Sequence, residues 1–205
     1  MTMSLARTEP DTRRFDEATY IDFLIRREDE DGRWELIEGI PIQMPPATMR
    51  HGRIASNLER LLSAVLARAG SSHDGRREAG VRYPLADFRP VADVAIIIPR
   101  QEMDDCDERF YDECLLIAEV LSPSTEHYDL IWKLPLYQEL PDCRYILMIS
   151  QHEFAMRFYS RNADWVERSF RSPDDLIDLP EFGFSCRLGD LYRGTPIFSE
   201  WQRNS

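Results

Sequence analysis

The sequence predicts an α/β domain with a mixed central β-sheet flanked by helices and additional antiparallel strands. Three observations lead there. VADVAIII (91–98), LLIAEVL (115–121) and CRYILMIS (143–150) are short runs apolar on both faces, the pattern of strands in the middle of a sheet. Ile54, Leu58, Leu61, Leu62, Val65 and Leu66 recur with helical spacing, which gives one long amphipathic helix to cover such a sheet. Segments near both ends alternate polar with apolar residues around turn signals, as antiparallel strands do.

Taken in order, residues 1–15 are polar and read as a flexible N-terminal arm, with 16–205 as one domain. Ala18–Arg27 spaces Tyr20, Phe23 and Leu24 like an amphipathic helix. RWELIEGIPIQM reads as two strands around a Glu38-Gly39 turn, and Pro45-Pro46 stops the second. The long helix runs from near Thr48 to Ala69, with Gly70 ending it. Ser71–Arg77 is expected to be a loop and Gly80–Leu85 a strand. The segment 101–113 holds seven acids and one arginine and reads as a solvated connection. Ser122-Pro123-Ser124-Thr125 stops the strand before it, with Ser124 or Thr125 as the expected cap of the next helix. That helix carries Leu130, Ile131, Leu134, Leu136 and Tyr137. EFAMRFYSR and DWVERSF form an expected hairpin around Asn162-Ala163. The tail from Ser172 holds strand-like pieces and a helical turn at Leu188–Tyr192.

A chain of 205 residues with 43% hydrophobic content can bury a full core. No stretch approaches the ~20 apolar residues of a membrane span, and the N-terminus lacks an apolar signal core, so a cytoplasmic protein without a membrane partner is expected. Cys106, Cys114, Cys143 and Cys186 show no metal-finger spacing and read as reduced thiols. A net charge of −12 counts against avid non-specific DNA binding, which is built on phosphate neutralisation. A glycine-rich phosphate loop is missing, so no nucleotide cofactor is expected.

Two carboxylates carry the chemical argument. Asp93 and Glu119 each interrupt an apolar strand, and an ionised acid there needs compensation. If the two strands are neighbours, both carboxylates can converge on one Mg²⁺, which takes one or two carboxylates and fills its shell with water and phosphate oxygens. Lys133 is the single lysine among 25 basic residues, and an ammonium beside such an ion can orient water or stabilise developing charge. Asp129 stands at i,i+4 to Lys133, so a surface ion pair worth about 0.3 kcal/mol is the rival explanation. Glu119 has a buried acid–arginine pair as its rival. Glu35 alternates with Trp34 and Leu36 and has a solvent-facing rival, and His51, at the start of the long helix, a structural one.

RWELIEG, PATMRHGRIASNL, RPVADVAIIIP, LIAEVLSPST and YDLIWKLPLYQELP, in this order, resemble the Uma family of restriction-endonuclease-type proteins in the PD-(D/E)XK nuclease superfamily. The resemblance implies the restriction-endonuclease-like fold and Mg²⁺-dependent hydrolysis of DNA phosphodiesters, with Mn²⁺ as a substitute ion. It places the metal-binding aspartate on Asp93 and the second acid on Glu119, with the Val120 carbonyl as a further ligand. The lysine of the superfamily signature is replaced by Leu121, and Lys133 on the following helix matches the relocated amine. Glu35 matches a glutamate that completes the acidic cluster, while His51 and Asp129 are accessory candidates. Val91 and Ala92 separate Pro90 from Asp93, where the family places proline directly before the aspartate. DNA is the implied substrate, and cutting both strands suggests a homodimer. The alternative is a catalytically weak or inactive module that keeps the fold and binds nucleic acid or protein partners.

Overall fold

The computed structural model describes residues 14–28, 32–83, 85, 87–99 and 109–204. Helix α1 (Glu17–Ile25) is capped by the Asp16 carboxylate, which accepts from the Thr19 N–H. Strands β1 (Arg33–Ile37) and β2 (Ile40–Met44) form the expected hairpin, because Glu38 and Gly39 both take positive φ, 49° and 77°, in a two-residue turn. Backbone bonds exchanged between Leu36 and Arg89 fasten the hairpin to the rest of the chain.

Helix α2 (Met49–Arg68) follows, then β3 (Asp74–Gly80), β4 (Val91–Ile97) and β5 (Cys114–Leu121). The chain then passes through α3 (Glu126–Tyr128), a π-helical turn (Asp129–Lys133) and α4 (Leu134–Glu139). Strands β6 (Tyr145–Ser150), β7 (Met156–Ser160) and β8 (Arg168–Phe170) complete a six-stranded sheet of order β3-β4-β5-β6-β7-β8. Within it β5 and β6 are parallel, joined by the helical crossover, and the other pairings are antiparallel. A final hairpin of β9 (Leu176–Leu179) and β10 (Phe184–Arg187) leads into α5 (Leu188–Leu191) and α6 (Pro196–Asn204). This is the expected mixed sheet flanked by helices.

Alternation along the strands divides the core. Val94, Ile96, Ala118 and Val120 join Leu58 and Leu62 of α2 on one face. Ala95, Ile97, Ile117 and Leu121 meet Leu134 and Tyr137 on the other. All eight residues of β5 are buried, as its unbroken apolar run requires.

Several expectations are corrected. The strand before β4 is Asp74–Gly80, so 74–77 are not loop, and most of Gly80–Leu85 lies outside it. Thr125 occupies the cap position of α3 without a side-chain cap bond, because the Thr125 and Ser124 hydroxyls both engage the Ser122 hydroxyl. The connection between β7 and β8 is longer than a two-residue turn: Asp164 and Trp165 take positive φ, and strand pairing resumes only at Arg168. Phe15, assigned to the arm, donates its N–H to Gly39 and packs its ring on Phe23. Residues 1–13, most of the acidic 101–113 segment and Cys106 lie outside the described residues, whereas Cys114, Cys143 and Cys186 are buried free thiols. Among the described residues no helix is long and apolar enough to cross a membrane.

Candidate active site

Strand register brings the first two acids together. Val94 pairs with Ala118 in the antiparallel β4–β5 ladder, so Asp93 lies opposite Glu119 one residue further along. Both side chains project to the face lined by Ala95, Ile117 and Tyr137. The Asp93 N–H donates to Glu119 Oε2 at 3.3 Å, and the Val120 N–H donates to Asp93 Oδ2 at 2.8 Å.

Lys133 reaches the same place from behind. Its Nζ stands 3.0 Å from Glu35 Oε1, 3.1 Å from Glu119 Oε1 and 3.3 Å from Asp129 Oδ1. At 1% exposure it is no surface ion pair, and the π-helical turn is the local reason. Pro135 has no N–H to offer the carbonyl four residues back, and its ring crowds that carbonyl; widening the preceding turn relieves both. Asp129 and Lys133, at the two ends of that turn, are both buried.

Glu35 is fully buried, which overturns its solvent-facing reading. Arg33, two residues earlier on the same face of β1, was not singled out in the sequence. Its Nη1 lies 3.0 Å from Asp93 Oδ1 and its Nη2 3.7 Å from Glu35 Oε1. The i,i+2 spacing from Glu35 was the signal that could have found it. His51 sits in the first turn of α2, where its N–H donates to the Thr48 hydroxyl, and its Nε2 is 3.0 Å from Asp93 Oδ2. Tyr137, read only as an apolar helix residue, donates its hydroxyl to Glu119 Oε1 at 2.7 Å. Glu78 carried no sequence signal. It lies between the Arg77–Val94 and Ala79–Ala92 pairs, opposite Asp93, with a φ of 51°, and it lines the cleft.

Asp93, Glu119, Asp129, Lys133, Arg33, His51 and Glu78 border a cleft of about 1310 Å³ that is also lined by Trp34, Pro45 and Ser122–Thr125. The two central acids are driven apart. Burial pushes Glu119 well above the ordinary carboxylate range; the Lys133 ammonium draws it down, and the nearby Asp93, Asp129 and Glu35 push it up. Burial acts upward on Asp93 too, but the hydrogen bond and charge of His51, the Arg33 guanidinium and the Val120 N–H outweigh it and hold that carboxyl low. Burial would neutralise Lys133, yet the charges of Glu119, Glu35 and Asp129 keep its ammonium protonated well beyond the usual range.

The donors suit a hard divalent cation in kind and in charge. Four buried carboxylates (Glu35, Asp93, Glu119 and Asp129) face the cations of Arg33 and Lys133, leaving two negative charges uncompensated when all are ionised. Glu35 Oε2, His51 Nδ1, Trp34 Nε1 and Tyr128 Oη are buried without a hydrogen-bond partner, a local concentration of unmet polar atoms. In the arrangement described, Arg33 and His51 stand on Asp93 and Lys133 stands among the other three acids. Among the described residues, no three His, Cys, Asp or Glu side chains form a ready cage for an ion.

A mixed sheet bearing buried acids and an amine in a cleft defines a restriction-endonuclease-type nuclease fold. The chain belongs to the Uma2 family, described as "putative restriction endonuclease", whose family model matches residues 19–189. It is 36% identical over 81 residues to uncharacterized protein slr1290 of Synechocystis sp., a match covering 38% of this chain and 42% of that relative. A second Synechocystis protein, uncharacterized sll1609, is 28% identical over 150 residues, covering 71% of this chain and 82% of the relative. The fold matches the crystal structure of a DUF820 protein from Anabaena variabilis, titled a "putative nuclease", with a TM-score of 0.67 at 21% identity. That match covers 84% of this chain and 96% of the other.

Proposed function

We propose that this chain is a Mg²⁺-dependent endonuclease that hydrolyses DNA phosphodiesters, with residues 16–205 acting as one cytoplasmic domain. The observation that carries the reading is Lys133: one buried ammonium shared by Glu35, Glu119 and Asp129, beside an acid on the neighbouring strand. Asp93, Glu119 and the Val120 carbonyl would hold the ion, which supplies Lewis-acid polarisation of the phosphate and a more acidic bound water.

The chain's own groups do the rest. Asp93 is held low as a carboxylate and would supply one negative donor. Glu119 would hold the ion as a carboxylate, its proton released to solvent, and Tyr137 holds the orientation of that carboxylate. Lys133 keeps its proton and therefore serves as a fixed cation for orienting water or steadying charge, not as a base. Glu35 anchors that amine through Oε1 and keeps a buried Oε2 without a hydrogen-bond partner. Arg33 stands on Asp93 Oδ1, an oxygen that a bound ion would need. That occupancy favours the second reading, a fold-preserving module with little activity. Two such sites in a homodimer would cut both strands.

Incubation of the intact protein with labelled plasmid and linear duplex DNA, with Mg²⁺, Mn²⁺ or EDTA, tests the proposal. Metal-dependent nicking or cutting that is lost in Asp93→Ala, Glu119→Ala and Lys133→Ala supports it. The proposal fails if no metal supports cleavage, or if the three variants cut as well as the parent. A parallel RNA panel separates the two nucleic acids.

A further inference from the structure

A chain with 37 acidic against 25 basic residues has to find somewhere to lay a polyanion. Beside the acidic cleft is a hollow of about 500 Å³ with the opposite character. Arg50, Arg53 and His152 line it together with Thr48, Gln151 and Thr195, and among the described residues no Asp or Glu does. Elsewhere the arginines commonly stand on carboxylates: Arg33 on Asp93, Arg82 on Glu17 and Asp112, Arg144 on Glu181, Arg193 on Asp190. Arg50 instead faces neutral groups, its Nη1 lying 3.4 Å from the Gln151 carbonyl and 3.1 Å from His152 Nδ1. Arg53 is exposed beside Gly194, its Nε 3.7 Å from where a Cβ on that glycine would stand. Among the described residues neither arginine is paired with a carboxylate.

The hollow is continuous with the cleft. Thr48 and Gln151 line both, and they are locked together by the Thr48 hydroxyl donating to Gln151 Oε1 at 2.8 Å, with Gln151 only 3% exposed. His51, the residue after Arg50, touches Asp93 at 3.0 Å. Two guanidiniums therefore line a hollow of neutral polar groups, beside the acids of the site. A guanidinium fork matches the paired oxygens of a phosphate better than a point-charge ammonium does.

We propose that Arg50 and Arg53 seat one backbone phosphate of the DNA strand next to the phosphodiester being cut, and so set the register of the strand in the cleft. The assignment rests on the nuclease reading for its substrate. It also resolves the charge problem, because one contact of this kind provides local affinity while the rest of the surface repels.

The test is fluorescence anisotropy of a labelled duplex of about 20 base pairs at roughly 0.05 to 0.2 M salt, in Ca²⁺, alongside cleavage in Mg²⁺. The parent, R50Q/R53Q and R50K/R53K are compared, with melting curves to check folding. R50Q/R53Q is expected to weaken binding about tenfold and to flatten the slope of log affinity against log salt by about 0.9, the share of one phosphate. R50K/R53K keeps the charge, and so keeps the slope while losing part of the affinity. An unchanged slope in R50Q/R53Q, or a parent that does not bind the duplex, overturns the proposal. If the parent cuts DNA and R50Q/R53Q binds with the parental slope, only the phosphate seat is lost. If the slope falls as expected but no metal produces cleavage, the seat stands and the nuclease reading goes.

Discussion

Lys133 is buried among three carboxylates and is the ammonium that faces them. Replacing it with methionine keeps the bulk and leaves the acids uncompensated, at a cost of about 3–5 kcal/mol. Burial already holds Glu119 above the ordinary carboxylate range, and removing the ammonium that draws it down raises it further. The loss in Lys133→Met should therefore deepen as pH rises from 5 to 8, as read by urea denaturation at each pH. A penalty independent of pH would mean that Lys133 is not neutralising those acids.

Asp93 has the opposite sign. Its folded pKa lies below the ordinary 3.8, so its contribution is complete above that value and is lost as pH falls through it and below. Asp93→Asn should be less stable at neutral pH and should show a flatter decline of stability below about pH 4 than the parent. Both acids and the lysine were legible in the sequence because charge is conspicuous within apolar runs. Arg33 and Tyr137 were not, because an arginine among 24 and a tyrosine on an apolar helix face carry no signal until the hairpin and the helix are placed in space.

At the level of elements, the hairpin turn at Glu38-Gly39, the long helix and the three buried strands were all readable, since each has its own period or turn chemistry. The π-helical turn was not read, although Pro135 was its visible cause. The early placement of β3 was also missed, because DGRREAG is polar and pairs along one side of the sheet only. The left-handed backbone at Glu78 in that strand stores strain beside the site. Glu78→Gly should relieve about 1 kcal/mol of it and raise the melting temperature by a few degrees, whereas a strand that tolerates Glu78 without strain would lose stability from the added glycine entropy.

For the whole molecule, fold class was the most legible feature, because apolar runs and helix periodicity survive any local misreading. The cluster's balance of charge was not legible, since it depends on four elements meeting. On the proposed function that balance would make the folded protein a receptor for a divalent ion, and a ligand that binds the native state stabilises it. Mg²⁺ at 100 times its dissociation constant should add about 2.7 kcal/mol to unfolding, seen as a raised melting temperature that is absent in Asp93→Asn and Glu119→Gln. The gain should grow with pH, because the incoming ion displaces the proton that burial favours on Glu119. A magnesium response of equal size in those variants would place the ion elsewhere.

The most direct measurement is a crystal soaked in Mn²⁺, with anomalous density mapped at the manganese edge. The account predicts a peak bridging Asp93 and Glu119, Arg33 withdrawn from its 3.0 Å contact with Asp93, and the Lys133 amine still among its acids. Density absent from that position, with Arg33 still seated on Asp93 at saturating metal, would contradict it.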